Sequence, residues 1–176
     1  MQRIVVLGNA GSGKSTFSNM LGERLSLPVI HLDKLYWGPK WSKPALGDFR
    51  QRVEIAVSGA GWICEGNYHH QTFDLRLPRA DLVIWMDTAR TICLKRVAIR
   101  SFLNRPRADL PVGCSEHIDA EFFSFLRYVW NFDRETRPNI ESERLSHGPH
   151  VPTIRLNNKR SIADFMAGLT LLSRNS

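Results

Sequence analysis

Gly8-Asn9-Ala10-Gly11-Ser12-Gly13-Lys14-Ser15 matches GxxxxGK[ST] at every fixed position and sits between an apolar run and a segment of helical periodicity. Few octapeptides restrict a chain so tightly. The glycines let the backbone curl until successive N–H groups converge, and a helix starting near Lys14 turns the positive end of its dipole to the same point. Such a loop needs a strand to launch it and a helix to receive it, and the ligand it suits is a polyphosphate. Gly8, Gly11, Ser12, Gly13, Lys14, Ser15 and Thr16 are therefore expected to hold a nucleoside triphosphate, ATP with magnesium. Lys14 is expected to reach the β- and γ-phosphates, and Ser15 to place its hydroxyl on the ion.

The launching strand reads as Arg3 to Leu7, a continuous apolar run of the kind buried on both faces of a parallel sheet. Further strands are expected at Pro28 to Leu32, Trp62 to Cys64, Asp81 to Met86 and Thr153 to Leu156, each separated by a segment long enough to hold a helix. Alternating strands and helices imply parallel βαβ units with right-handed crossovers, hence an α/β fold. Apolar residues at three- and four-residue spacings mark the helices. Phe17, Met20, Leu21 and Leu25 form one face, Leu46, Phe49, Val53 and Val57 another, and Ile118, Phe122, Phe125, Leu126, Val129 and Phe132 the stripe of one long helix. A last helix is expected from Ser161, with Ser161 as its N-cap and Asp164 three residues on.

At 176 residues and 43% hydrophobic content the chain suits a single domain spanning 1–176. No apolar run approaches the roughly 20 residues of a membrane-spanning helix. The start lacks the apolar core of a secretory signal, and Cys64, Cys93 and Cys114 are too few and scattered for a disulfide framework, so a reducing, cytoplasmic setting is expected. The net charge is +7, and arginine contributes 18 of the 24 basic residues. That bias suits paired contacts to phosphate oxygens, whether of a small ligand or of nucleic acid.

Carboxylates follow two of the expected strands. Asp33 falls at the carboxyl edge of the sheet, beside strand one or one strand away, where ligands of such sheets bind. It is a candidate to accept a proton from a substrate hydroxyl, or to hold magnesium through a water molecule. Glu65 ends strand three in the same way, with Gly66 allowing a tight turn, and is a second candidate for magnesium or acceptor. Asp87, ending strand four, is weaker because an acid there often just caps the next helix. Arg96 and Arg100 share a helix face, and Arg105 and Arg107 follow in a proline-bounded segment, together suggesting a lid that stabilises a transferred phosphoryl group. Arg134 and Arg137 are further candidates. Tyr36, Trp37 and Trp41 are interleaved with lysines and suit either base stacking or a hydrophobic flap. Cys114 with His117, and His69-His70, fall short of a zinc pattern.

Together the phosphate loop, His31-Leu32-Asp33-Lys34-Leu35-Tyr36-Trp37, Trp62-Ile63-Cys64-Glu65-Gly66-Asn67-Tyr68, Arg79-Ala80-Asp81 and Leu126-Arg127-Tyr128-Val129-Trp130-Asn131 resemble the DNA topology modulation proteins, a branch of adenylate-kinase-like P-loop proteins. The resemblance implies a P-loop nucleoside-triphosphate hydrolase fold of nucleoside-monophosphate-kinase type, a five-stranded parallel sheet flanked by helices. It implies an acceptor-side insertion at about 34–60, a lid at about 101–117, and adenine contacts near Asn157. Adenylate kinases usually carry Asp-Gly after strand three, whereas this chain has Glu65-Gly66. That departure turns the expectation from an AMP acceptor toward one bearing a hydroxyl. The expected activity is transfer of the γ-phosphoryl group of ATP to a small molecule or nucleotide. The alternative is an ATP-binding, DNA-associated regulator.

Overall fold

β1 (Arg3–Gly8) lies at the centre of the sheet, and every residue from Ile4 to Leu7 is buried because neighbours cover both faces. This structure is a computed structural model that describes residues 2–103 and 120–174. β1 is followed by α1 (Lys14–Leu25), β2 (Val29–His31), α2 (Leu32–Tyr36) and α3 (Leu46–Ala56). β3 (Trp62–Glu65), α4 (His69–Arg76), β4 (Leu82–Met86) and α5 (Arg90–Phe102) come next. α6 (Ala120–Glu135), α7 (Arg137–His147), β5 (Thr153–Leu156) and α8 (Lys159–Arg174) complete the order. All strand pairs are parallel, in the order β2-β3-β1-β4-β5.

Alternation along β1 divides the core. Val5 and Leu7 join Phe49, Val53, Trp62, Phe73, Trp85, Phe132 and Ile140 on the face covered by α3, α4, α6 and α7. Ile4 and Val6 join Phe17, Leu21, Ile84 and Leu169 on the face covered by α1 and α8. Each fully buried large apolar side chain stabilises by about 1.5–3 kcal/mol. A smaller cluster of Cys93, Val97 and Val129 packs α5 on α6 and reaches Ala10 of the phosphate loop, so the α5–α6 pair bears directly on that loop.

Three elements differ from expectation. The second strand stops at His31, and Leu32 to Tyr36 form a short helix, which leaves Asp33 on a helix just past the strand end. The long helix breaks at Thr136, because Pro138 in the first turn of α7 has no N–H to give and would crowd the carbonyl four residues back. The last helix begins at Lys159, two residues before Ser161. Asn158 is its cap: Oδ1 accepts the Ser161 N–H at 2.9 Å, while Ser161 Oγ reaches back to the N–H groups of Asn157 and Asn158. The expected lid lies outside the described residues from 104 onward, and with it Arg105, Arg107, Cys114 and His117.

Candidate active site

The loop between β1 and α1 is held in a conformation that its glycines permit. Gly8 has φ +143°, and a Cβ there would stand 2.6 Å from the Met86 carbonyl oxygen; Gly11 has φ +76°, with the Cys93 carbonyl 2.5 Å from the same place. A side chain at either position meets backbone on a neighbouring element. Gly13, also left-handed, precedes α1, and no side chain caps that helix. The first helical bond is Phe17 N–H to the Gly13 carbonyl, so the N–H groups of the turn before it point out of the helix end. Lys14 Nζ folds onto the Asn9 carbonyl at 2.9 Å. Thr16 is exposed at the same end. Ser12 Oγ is buried without a hydrogen-bond partner among the described residues, a hydroxyl available to donate to a phosphate oxygen. Thr88 Oγ1 and Arg96 Nη1 both donate to the Ser12 carbonyl, and Arg96 also to that of Gly11.

Parallel pairing of β1 with β3 sets the end of β3 beside this loop. Glu65 is buried, and its Oε1 accepts from Ser15 Oγ at 3.1 Å and from His31 Nδ1 at 2.8 Å. His31 Nε2 meets Asn19 Oδ1 at 3.1 Å. A hydroxyl and a carboxylate, both hard oxygen donors, thus stand together where the loop meets the helix, the donor chemistry that magnesium takes. Two residues on, the Asn67 amide pairs with the Gly8 backbone in both directions, at 3.1 and 3.0 Å. His31, Asn67 and Tyr68 show their part only in three dimensions, because their partners Glu65, Gly8 and Asp33 come from other strand ends.

Asp33 is one strand away from β1, because β3 lies between β2 and β1. Tyr68 donates to its Oδ1 at 2.7 Å. Tyr68 also packs on Tyr36 and Phe49, and Tyr36 on Trp37, which meets Trp41 edge-on at 5.3 Å. The aromatic segment is therefore a wall continuous with the core, with Lys43 over Trp37 at its outer end.

The arginines divide. Arg96 lies against the loop, and Arg100 is one helical turn further along α5, half-buried. Arg137 is committed elsewhere, gripping Asp87 with both Nη atoms at 2.8 and 3.2 Å and lying over Trp85. Arg134 pairs with its neighbour Glu135. Asp87 is accordingly an ion-pair partner of α7. Asn157 lies past β5, its N–H bonded to Ser161 Oγ.

No family model and no curated protein matches the chain. Among solved structures, shikimate kinase from Acinetobacter baumannii in complex with shikimate is similar across 100% of this chain and 95% of its own, with a TM-score of 0.57 and 18% identity. The chain has a P-loop fold. At that identity the likeness establishes the fold alone, and the likeness to DNA topology modulation proteins rests on the quoted motifs. The P-loop fold accounts for the convergence of β1, α1, Glu65 and Asp33 on one sheet edge, where α/β proteins of this kind bind ligands.

Proposed function

We propose that this chain is an ATP-dependent kinase that transfers the γ-phosphoryl group of ATP to the hydroxyl of a small molecule. The observation that carries the reading is the buried Glu65 carboxylate 3.1 Å from Ser15 Oγ, beside a loop built for phosphates. Ser15 and Glu65 would hold magnesium, and the ion supplies charge neutralisation on the phosphates when bound. Lys14 exchanges the Asn9 carbonyl for phosphate oxygens, a charge-assisted contact that outcompetes a neutral one. Arg96, already on the loop, and Arg100 one turn further along α5 would add positive charge where the transferred group develops its own. Asp33, oriented by Tyr68, accepts the proton of the attacking hydroxyl. Asn157, just past β5, would contact the base of the nucleotide.

Incubating the protein with ATP, magnesium and a panel of sugars, polyols, cyclic hydroxy acids, nucleosides and nucleotides is expected to give acceptor-dependent ADP release for a hydroxyl-bearing member. Absence of such release across a broad panel overturns the proposal. A DNA-associated regulator is the second reading of the +7 charge. Much of the described arginine charge is already engaged, Arg3 with Asp81, Arg50 with Asp74, Arg137 with Asp87 and Arg96 with loop carbonyls, which favours the kinase.

A further inference from the structure

Arg76, in the last turn of α4, has no exposed surface. Burial strips its hydration and pulls its pKa below the usual arginine value. Its hydrogen bonds go to neutral acceptors: Nη1 donates to the Gly66 carbonyl at 3.0 Å and to Cys64 Sγ at 3.7 Å, and Nη2 to the Asn67 carbonyl at 2.5 Å. An apolar side chain packed on Phe73, where the guanidinium now lies at 5.0 Å, would fill the space without losing hydration. What it could not supply is the fork, two N–H groups in one plane aimed at consecutive carbonyls.

Those carbonyls turn inward because the backbone after β3 is contorted. Gly66 has φ +125° and Tyr68 φ +35°, and a Cβ on Gly66 would come within 3.0 Å of Leu32. The turn so formed sends Glu65 to Ser15 and the Asn67 amide onto both backbone groups of Gly8. We propose that Arg76 is a positioning residue, whose forked donation to Gly66 and Asn67 sets the turn that clamps the start of the phosphate loop. Its consequence for nucleotide binding rests on the kinase reading above.

Arg76→Lys keeps the charge and loses the fork. In the ligand-free protein, the Gly8 amide of this variant is expected to exchange with solvent about tenfold faster than in the wild type, read by NMR, while core amides of β4 do not change. Its affinity for ATP with magnesium is expected to fall about tenfold by calorimetry. Asn67→Ala should cause a loss of similar size, and the double variant little more than either alone, because both cut one chain of contacts. Wild-type Gly8 exchange in a folded Arg76→Lys protein, or additive losses, overturns the proposal. Arg76→Met replaces Arg76→Lys if the latter does not fold, and failure of both to fold overturns the positioning role in favour of a purely structural one. Because Gly8 exchange is read without nucleotide, a wild-type protein that binds no ATP sinks the kinase reading and leaves this test in force.

Discussion

Tyr68, the residue before α4, donates its phenolic hydrogen to Asp33 Oδ1 in α2 across 2.7 Å. Burial, and then the negative charge of Asp33, drive the Tyr68 pKa far above its ordinary value, so the phenol stays a donor throughout the usable pH range. A donor that cannot lose its hydrogen fixes the carboxylate it serves.

Asp33→Asn is accordingly expected to lower acceptor-dependent turnover by about a hundredfold or more, since the amide accepts no proton. ATP affinity should stay near wild type. Tyr68→Phe should give a smaller loss, because it frees the carboxylate without removing it. Steady-state kinetics with nucleotide calorimetry checks both, and undiminished turnover in Asp33→Asn removes Asp33 from the chemistry.

Lys14→Ala should weaken ATP binding by about 2–3 kcal/mol, the worth of a hydrogen bond to a charged group in a site with little water. The variant should fold, because the hydrogen bond that Lys14 Nζ makes among the described residues goes to the Asn9 carbonyl of its own loop. Calorimetry that finds wild-type affinity would refute the phosphate-binding role of the loop.

Glu65→Gln leaves the shape but removes the charge beside Ser15. The magnesium concentration for half-maximal ATP binding is expected to rise about tenfold, with magnesium-independent nucleotide binding unchanged. A magnesium titration monitored by nucleotide fluorescence reads the difference. An unaltered requirement would exclude Glu65 as a magnesium partner.

Asp81 supports the sheet at its other end. Partial burial alone would raise its pKa, but the N–H groups of Gln2 and Arg3 and the Arg3 guanidinium outweigh burial and hold it down to about 2 from the model-peptide value of 3.8. A carboxylate depressed on folding adds stability that is complete above its unfolded pKa and lost as the pH falls through the folded one. Asp81→Asn should therefore cost about 1–2 kcal/mol near neutrality, after allowance for solvent screening, and its deficit against wild type should fade between about pH 4 and 2. Denaturant melts across that window test it; a constant deficit would mean that the charge contributes nothing.

Local signals carried much of the architecture. All five strands were legible in the sequence, and the stripe from Phe122 to Phe132 does pack inward, with Val129 on Cys93 and Val97 and Phe132 in the main core. The errors fall where a polar residue had a competing partner. Ser161 has the chemistry of an N-cap, but Asn158 takes that place and Ser161 supports it from the third helical position. α2 and α4 were missed, being short helices with little apolar periodicity, Asp33-Lys34 in one and His69-His70-Gln71 in the other.

Glycine spacing and hydrophobic period are properties of neighbouring residues, so the strand, loop and helix around Lys14 were determined by the sequence itself, as was the parallel α/β class. Strand order is not local. Only the arrangement β2-β3-β1-β4-β5 brings Glu65 to Ser15 across 50 positions and Tyr68 to Asp33 across 35. It also gives Arg137 to Asp87, 50 positions away. A charged side chain takes the best-aligned partner within reach once the backbone is in place. Which partner that is depends on how the sheet was assembled, and no stretch of the chain read alone contains it.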